Sequence, residues 1–199
     1  MKQILITLFF SLCCSIAFSQ SLEGKIVYKN TFKSKTPNAT DAQWNAMMGT
    51  VQNYYIKGGN YKSVMDGKLM QWQIYRAAEN KMYNKTVHSA QPMAVDASVE
   101  DDKVISSKVE RTAGVILGYK CDKLTLNCTS GVQIYFFAPK LFIDKKLYSK
   151  HAYGNYYTYL SLANAAPLKM IIDAPTFHME GIATSVSREK VSDGIFKVK

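Results

Sequence analysis

The chain predicts a mainly β, antiparallel protein, and three observations carry that prediction. Apolar and polar residues alternate in short runs rich in Tyr, Val, Ile and Thr. Gly, Asn, Asp and Lys interrupt the runs at turn-like intervals. Only one stretch has a clear helical period. No long linker, low-complexity segment or internal repeat breaks the pattern, so residues 20–199 read as a single β domain.

The first strand is expected from Glu23 to Phe32, where Ile26, Tyr28 and Phe32 alternate with other residues. Thr36-Pro37-Asn38 ends it, and the helix follows. Thr40 can cap that helix, and Gln43, three positions on, completes a capping box. Trp44, Met47 and Met48 share a face at i, i+3 and i+4 spacing. Gly49 stops the helix. Two turns do not hold alone in water, so this Trp-Met-Met face must pack on a partner.

Val51 to Lys57 and Tyr61 to Met65 flank Gly58-Gly59-Asn60, a hairpin turn of residues that accept positive φ. After Asp66-Gly67, the run from Lys68 to Ala77 places Met70, Trp72 and Ile74 on one face. Glu79-Asn80 turns the chain into a strand from Lys81 to Val87. His88 to Asp102 is polar, contains Pro92 and reads as a loop. Strands follow from Lys103 to Glu110, Val115 to Cys128 and Val132 to Ala138, the last two joined by Thr129-Ser130-Gly131.

Between Pro139 and Pro167 the period is ambiguous. Tyr153, Tyr156, Tyr157 and Leu160 fit a helical face, whereas Tyr157, Tyr159 and Ser161 fit a strand. A loop with one short helix is expected there. Leu168-Met170-Ile172, Phe177-Met179-Gly181 and Gly194 to Val198 return to the strand pattern, with Asp173-Ala174-Pro175 as a turn.

The first nineteen residues carry a different message. Met1-Lys2-Gln3 is a short basic start, Ile4 to Ile16 is largely apolar, and Ala17-Phe18-Ser19 has the small-x-small form of a signal-peptidase site. The apolar core is too short for a membrane span. The expectation is a signal peptide over 1–19, cleavage near Ser19/Gln20 and a periplasmic or secreted product. Leu12 and Cys13 stand where a lipobox needs a small residue, so no lipid anchor is expected. Cys13 and Cys14 leave with the leader. Cys121 and Cys128, on one straight strand, would lie about 23 Å apart, and a disulfide tolerates roughly 7 Å between Cα atoms. Two free, buried thiols are expected.

The formal net charge is +10. A basic exterior suits anionic head groups or acidic glycans, and export argues against nucleic acid. Nothing points to catalysis. His88, His151 and His178 stand far apart, none at metal-ligand spacing from another ligand. The chain has no G-x-S-x-G elbow, phosphate loop or H-E-x-x-H. Glu100-Asp101-Asp102 has no returning ligand. No catalytic residue, metal or cofactor is expected.

Three segments carry a resemblance. They are Thr112-Ala113-Gly114-Val115-Ile116-Leu117-Gly118-Tyr119-Lys120-Cys121-Asp122-Lys123, then Tyr135-Phe136-Phe137-Ala138-Pro139, then Pro167-Leu168-Lys169-Met170 with Phe196 near the end. In this order, behind a leader, they resemble the DUF4412 and GLPGLI-type exported proteins of the Bacteroidetes, which are in turn similar to the LolA/LolB lipoprotein carriers. The resemblance implies an antiparallel sheet curled into a half-open, LolA-like barrel with one or two short helices over its open side. In the carriers the concave sheet holds lipoprotein acyl chains.

The expected site follows from the alternation. Met70, Trp72 and Ile74, then Leu124 and Leu126, then Ile134 and Phe136, then Met170, Ile172, Phe177 and Met179 could line one concavity, under a lid of Trp44, Met47 and Met48. Methionine adapts to ligands of variable shape. A lipid or acyl chain is the expected ligand, held by a monomeric carrier. The alternative is an interaction module that docks on an envelope protein or anionic glycan through Tyr54, Tyr55, Lys57, Tyr61 and Lys62 on one hairpin. A hydrolase built on Cys121 is the third reading.

Overall fold

The computed structural model describes residues 20–198. The signal peptide expected over 1–19 lies outside the described residues. The chain order is β1 (Gly24–Ser34), α1 (Asp41–Met48), β2 (Val51–Lys57), β3 (Asn60–Met65), β4 (Met70–Arg76), β5 (Lys81–Thr86), β6 (Met93–Asp96), β7 (Val104–Ile116), β8 (Tyr119–Cys128), β9 (Gly131–Phe142), α2 (Tyr156–Ala163), β10 (Ala165–Asp173) and β11 (Phe177–Arg188). Short 3-10 turns occupy Lys145–Tyr148, Tyr153–Asn155 and Asp193–Phe196.

The strands form one antiparallel sheet of eleven, in the order β6-β5-β4-β3-β2-β1-β11-β10-β9-β8-β7. Its two edges, β6 and β7, are consecutive in the chain. Laid flat, eleven strands would put those edges about 48 Å apart. The link over 97–103 reaches no more than about 27 Å. The sheet therefore curls, and the result is a mainly β, half-open barrel. Ala97 in the link is fully buried. Its carbonyl accepts from the amides of Ala152 (2.7 Å) and Tyr153 (3.0 Å), which ties the link to the segment leading into α2.

Helix α1 forms as its capping residues predict. Thr40 Oγ1 accepts from the Gln43 amide (3.2 Å), and Gln43 Oε1 accepts from the Thr40 amide (2.7 Å). Four expectations are corrected. The polar stretch after His88 contains an edge strand, β6, paired with β5. The run from Val115 to Cys128 is two strands, because Leu117 (φ 50°) and Gly118 (φ 78°) make a tight turn of the kind that needs positive φ at both central residues. Strand β9 continues through Pro139 to Phe142. The C-terminal segment is a 3-10 turn capped by Ser192, not a strand.

Candidate functional site

Residues directly opposite in antiparallel pairs point to the same side of a sheet. Following the register from strand to strand links Met82, Tyr75, Tyr61, Ile56, Gly24, Ile26 and Tyr54 on one half. On the other half it links Asn30, Gly181, Met170, Tyr135 and Leu124. These share the concave face. Helix α2 lies inside it. Tyr156, Tyr159, Leu160 and Ala163 recur at helical spacing, and Tyr159, Leu160 and Ala163 are buried in the same core as Tyr28, Tyr54, Leu124 and Phe137. The chain enters α2 through two left-handed residues, Gly154 (φ 62°) and Asn155 (φ 60°), a reversal that Gly and Asn accept at low cost.

Burying so many tyrosines requires partners for their hydroxyls, and the partners are internal. Tyr28 donates to Pro167 O (2.7 Å), Tyr159 to Ala165 O (2.8 Å) and Tyr135 to Gln133 Oε1 (2.9 Å). The hydroxyls of Tyr54 and Tyr156 bond to each other (2.9 Å). Burial pushes the phenols of Tyr28, Tyr54, Tyr135, Tyr156 and Tyr159 well above their ordinary range, so all five stay neutral.

A cavity of about 130 Å³ remains between α2 and the sheet. Its walls are Tyr28, Tyr54, Tyr135, Tyr156 and Tyr159, with Gln52, Pro167 and Met170 completing them. Asn30 adjoins this wall: its amide donates to Gln52 Oε1 (3.3 Å). The Asn30 Oδ1 atom is buried and accepts from no donor among the described residues. Gly181 makes room for it, since a Cβ there would sit 2.6 Å from that oxygen. Larger hollows, of about 350 to 610 Å³, are open surface grooves; the one at Glu79, Asp96 and Lys150 is largely polar, and the one at Leu117, Tyr119 and Pro139 is more apolar, with Lys120 and Lys140 beside it.

The structure divides the expected site residues between two faces. Leu124 and Leu126 are fully buried on the concave side. Met170, Ile172, Phe177 and Met179 share that side by register. Trp44 joins them at one end, tilted on Phe177 (4.9 Å between ring centres) and stacked on Phe32 (6.5 Å). Trp72, Ile74, Ile134 and Phe136 do not belong there. Their partners across the ladder are Val64, Lys62, Thr125 and Lys123, on the convex face. Ile74 is buried beneath Val191 and Phe196 in a second, separate core. Met70 sits across a β-bulge from Trp72 and outside both cores. Met47 is exposed and Met48 half-buried, so α1 covers only the end near Phe32; the element that fills the barrel is α2.

The expected surface hairpin also splits. Tyr54 and Tyr61 are buried, pointing into the barrel. Tyr55, Lys57 and Lys62 stay on the convex side. Lys25 lies over Tyr55 and Lys62 over Trp72 (5.4 and 5.3 Å). Lys57 is held by Asp193 (2.8 Å) and the Val191 carbonyl (2.8 Å). Cys121 and Cys128 are free and buried.

No family model and no curated protein matches the chain. Solved structures are similar to it in part, and three of them illustrate the likeness. PNGF-II superposes with a TM-score of 0.48 at 13% identity, over 87% of this chain and 29% of PNGF-II, so the chain spans less than a third of that protein. The LolA-superfamily protein NE2245 from Nitrosomonas europaea gives 0.40 at 8% identity, over 89% of this chain and 90% of that one. LprF from Mycobacterium bovis gives 0.36 at 9% identity, over 85% and 88%.

Proposed function

We propose that the chain is an exported binding or carrier protein that holds an apolar group in the tyrosine-walled hollow of its half-open barrel. The supporting observation is the cavity of about 130 Å³ between α2 and the concave sheet. Apolar cavities of about 150 Å³ take benzene. This one has room for a small ring, a branched head or the last few carbons of an alkyl chain. Each methylene buried there contributes about 0.8 kcal/mol. Full ligand sites run to about 300–1,000 Å³, so a whole acyl chain enters only if α2 lifts. No nucleophile–base pair lines the cavity, and the reading is a periplasmic carrier, not an enzyme.

The test is titration of residues 20–199 with a fluorescent fatty acid, with mass spectrometry of solvent extracts from the protein purified from its host. Saturable binding that Met170→Trp abolishes by filling the cavity is the expected result. Wild-type protein that neither binds the probe nor yields lipid would refute the reading. Docking through the basic hairpin has less support, because Tyr54 and Tyr61 face inward and Lys57 is already paired.

A further inference from the structure

The composition of the cavity says more than its size. Five of its eight wall residues are tyrosines, and none is Leu, Ile, Val or Phe. A site built only to shelter an alkyl chain needs no aromatic ring. None of the walls is Lys, Arg, His, Asp or Glu.

The hydrogen-bond inventory gives the hollow a sign. The hydroxyl hydrogens of Tyr28, Tyr135 and Tyr159 go to protein oxygens. One hydrogen of the Tyr54–Tyr156 pair is used within the pair. Gln52 donates one amide hydrogen to Ser63 Oγ (2.7 Å), while its oxygen accepts from Asn30. The unmatched polar atom next to the wall, Asn30 Oδ1, is also an acceptor. The cavity is therefore walled by aromatic rings and oxygen lone pairs, and most of its donor hydrogens are already committed. Anions and carbonyl ligands find little to bind. A positive, weakly hydrated group finds the ring quadrupoles.

We infer that the tyrosine cavity is an aromatic cage for a quaternary ammonium group, the trimethylammonium head of a choline-type ligand. The inference rests on the proposed ligand role of this cavity and names the chemical class it selects. A trimethylammonium head is close to benzene in bulk and fits the available volume. Its methyl groups bury as hydrocarbon would, and its charge is spread over them, so leaving water costs far less than for a primary ammonium. The basic residues that give the chain its positive charge do not line the cavity. An anion attached to the same head, as in a phosphocholine lipid, would have to stay outside the cavity.

The experiment uses calorimetry on wild-type residues 20–199 with three probes. They are choline, dimethylbutanol (the isostere with carbon in place of the nitrogen) and dihexanoylphosphatidylcholine. The expected result is binding of choline or of the phosphatidylcholine at least about tenfold tighter than of dimethylbutanol, from the cation–π attraction. Choline alone at that level identifies a free solute as the ligand source. A strong preference for the phosphatidylcholine identifies a lipid head group. Tyr135→Leu, which keeps the site apolar but removes one ring, should weaken the cation several-fold and leave dimethylbutanol unchanged. Equal affinity for choline and dimethylbutanol overturns the cage and leaves the apolar site standing. Absence of binding by all three overturns the cage too, while the fatty-acid titration decides the broader reading separately.

Discussion

Tyr61 Oη and His151 Nε2 lie 2.8 Å apart in the interior of the barrel, joining β3 to the segment that leads into α2. Both residues are buried, and the imidazole is tilted on Tyr75 and stacked on Tyr156. Tyr61 Oη is also 3.2 Å from Met82 Sδ, while His151 Nδ1 has no partner. A neutral imidazole with its hydrogen on Nε2 leaves no hydrogen unmatched: Nε2–H donates to Tyr61, and Tyr61 donates to the Met82 sulfur. An imidazolium would bury a second N–H with nothing to accept it.

Stability should therefore fall in mildly acidic solution. Burial pushes the His151 imidazole down to about 4, from about 6.5 in an unfolded chain. The unfolded state binds the extra proton first. The stabilisation from keeping His151 neutral is complete above pH 6.5 and is lost as the pH falls toward 4, by about 3 kcal/mol in total. Urea midpoints measured every half unit between pH 4.5 and 8 should drop across this window. His151→Gln should flatten the curve there. Asp102, Asp122 and Asp173, whose carboxyls are held low by hydrogen bonds and ion pairs, add their own losses at lower pH.

Ile74→Ala should destabilise the protein without touching the cavity. Ile74 is fully buried on the convex side under Val191 and Phe196, with Tyr55, Trp72 and Tyr83 around it. Truncation of such a side chain costs about 2–5 kcal/mol. The expected signature is a lower urea midpoint, early loss of protection in the amides of Asp193–Phe196, and unchanged probe affinity in native buffer. Reduced affinity at full foldedness would mean that the two faces of β4 are coupled.

Strand positions were legible because alternation and turn residues are local. Which face turns inward was not, and Ile74 shows why. On β4, Ile74 and Tyr75 each look like a core residue, and only the curl of the whole sheet and the C-terminal turn decide between them. Tyrosine misled most. Tyr54 and Tyr61 read as surface because of their hydroxyls, yet each hydroxyl finds an internal partner from a segment about a hundred residues away. Alternation also hid the Leu117-Gly118 turn, since a branched apolar residue at positive φ is uncommon. The capping box of α1, by contrast, needs only Thr40 and Gln43, and it was readable in full.

Two glycine substitutions should separate steric closeness from backbone strain. Gly131 opens β9 at φ 138°, and a Cβ there would lie 2.1 Å from the Asp173 carbonyl oxygen on β10. Gly118 has φ 78° with nothing within 4 Å of its would-be Cβ. Gly118→Ala should cost about 1–2 kcal/mol, the strain of a left-handed residue. Gly131→Ala must in addition move one strand off the other, and about 3 kcal/mol or more is expected. Paired urea melts check the order, and equal costs would mean that β9 and β10 part easily at this end.

Cys121 and Cys128 should be inert toward thiol reagents in the folded protein, although the expected compartment is oxidising. Both are buried on β8. Burial raises the Cys121 thiol, and burial with the neighbouring Asp102 carboxylate pushes Cys128 up to about 11. At pH 8 a thiol of that acidity is thiolate in roughly one molecule in a thousand, and the thiolate is the reactive form. A disulfide-exchange reagent added to residues 20–199 should titrate no thiol on the minutes scale in buffer and both in denaturant. Native protein and protein treated with a reductant should melt at the same temperature, since no bridge exists to break. Rapid labelling of Cys128 alone would reveal opening of the turn at Thr129 and Ser130, whose hydrogen bonds to Asp102 close that end of the barrel (2.6–3.0 Å).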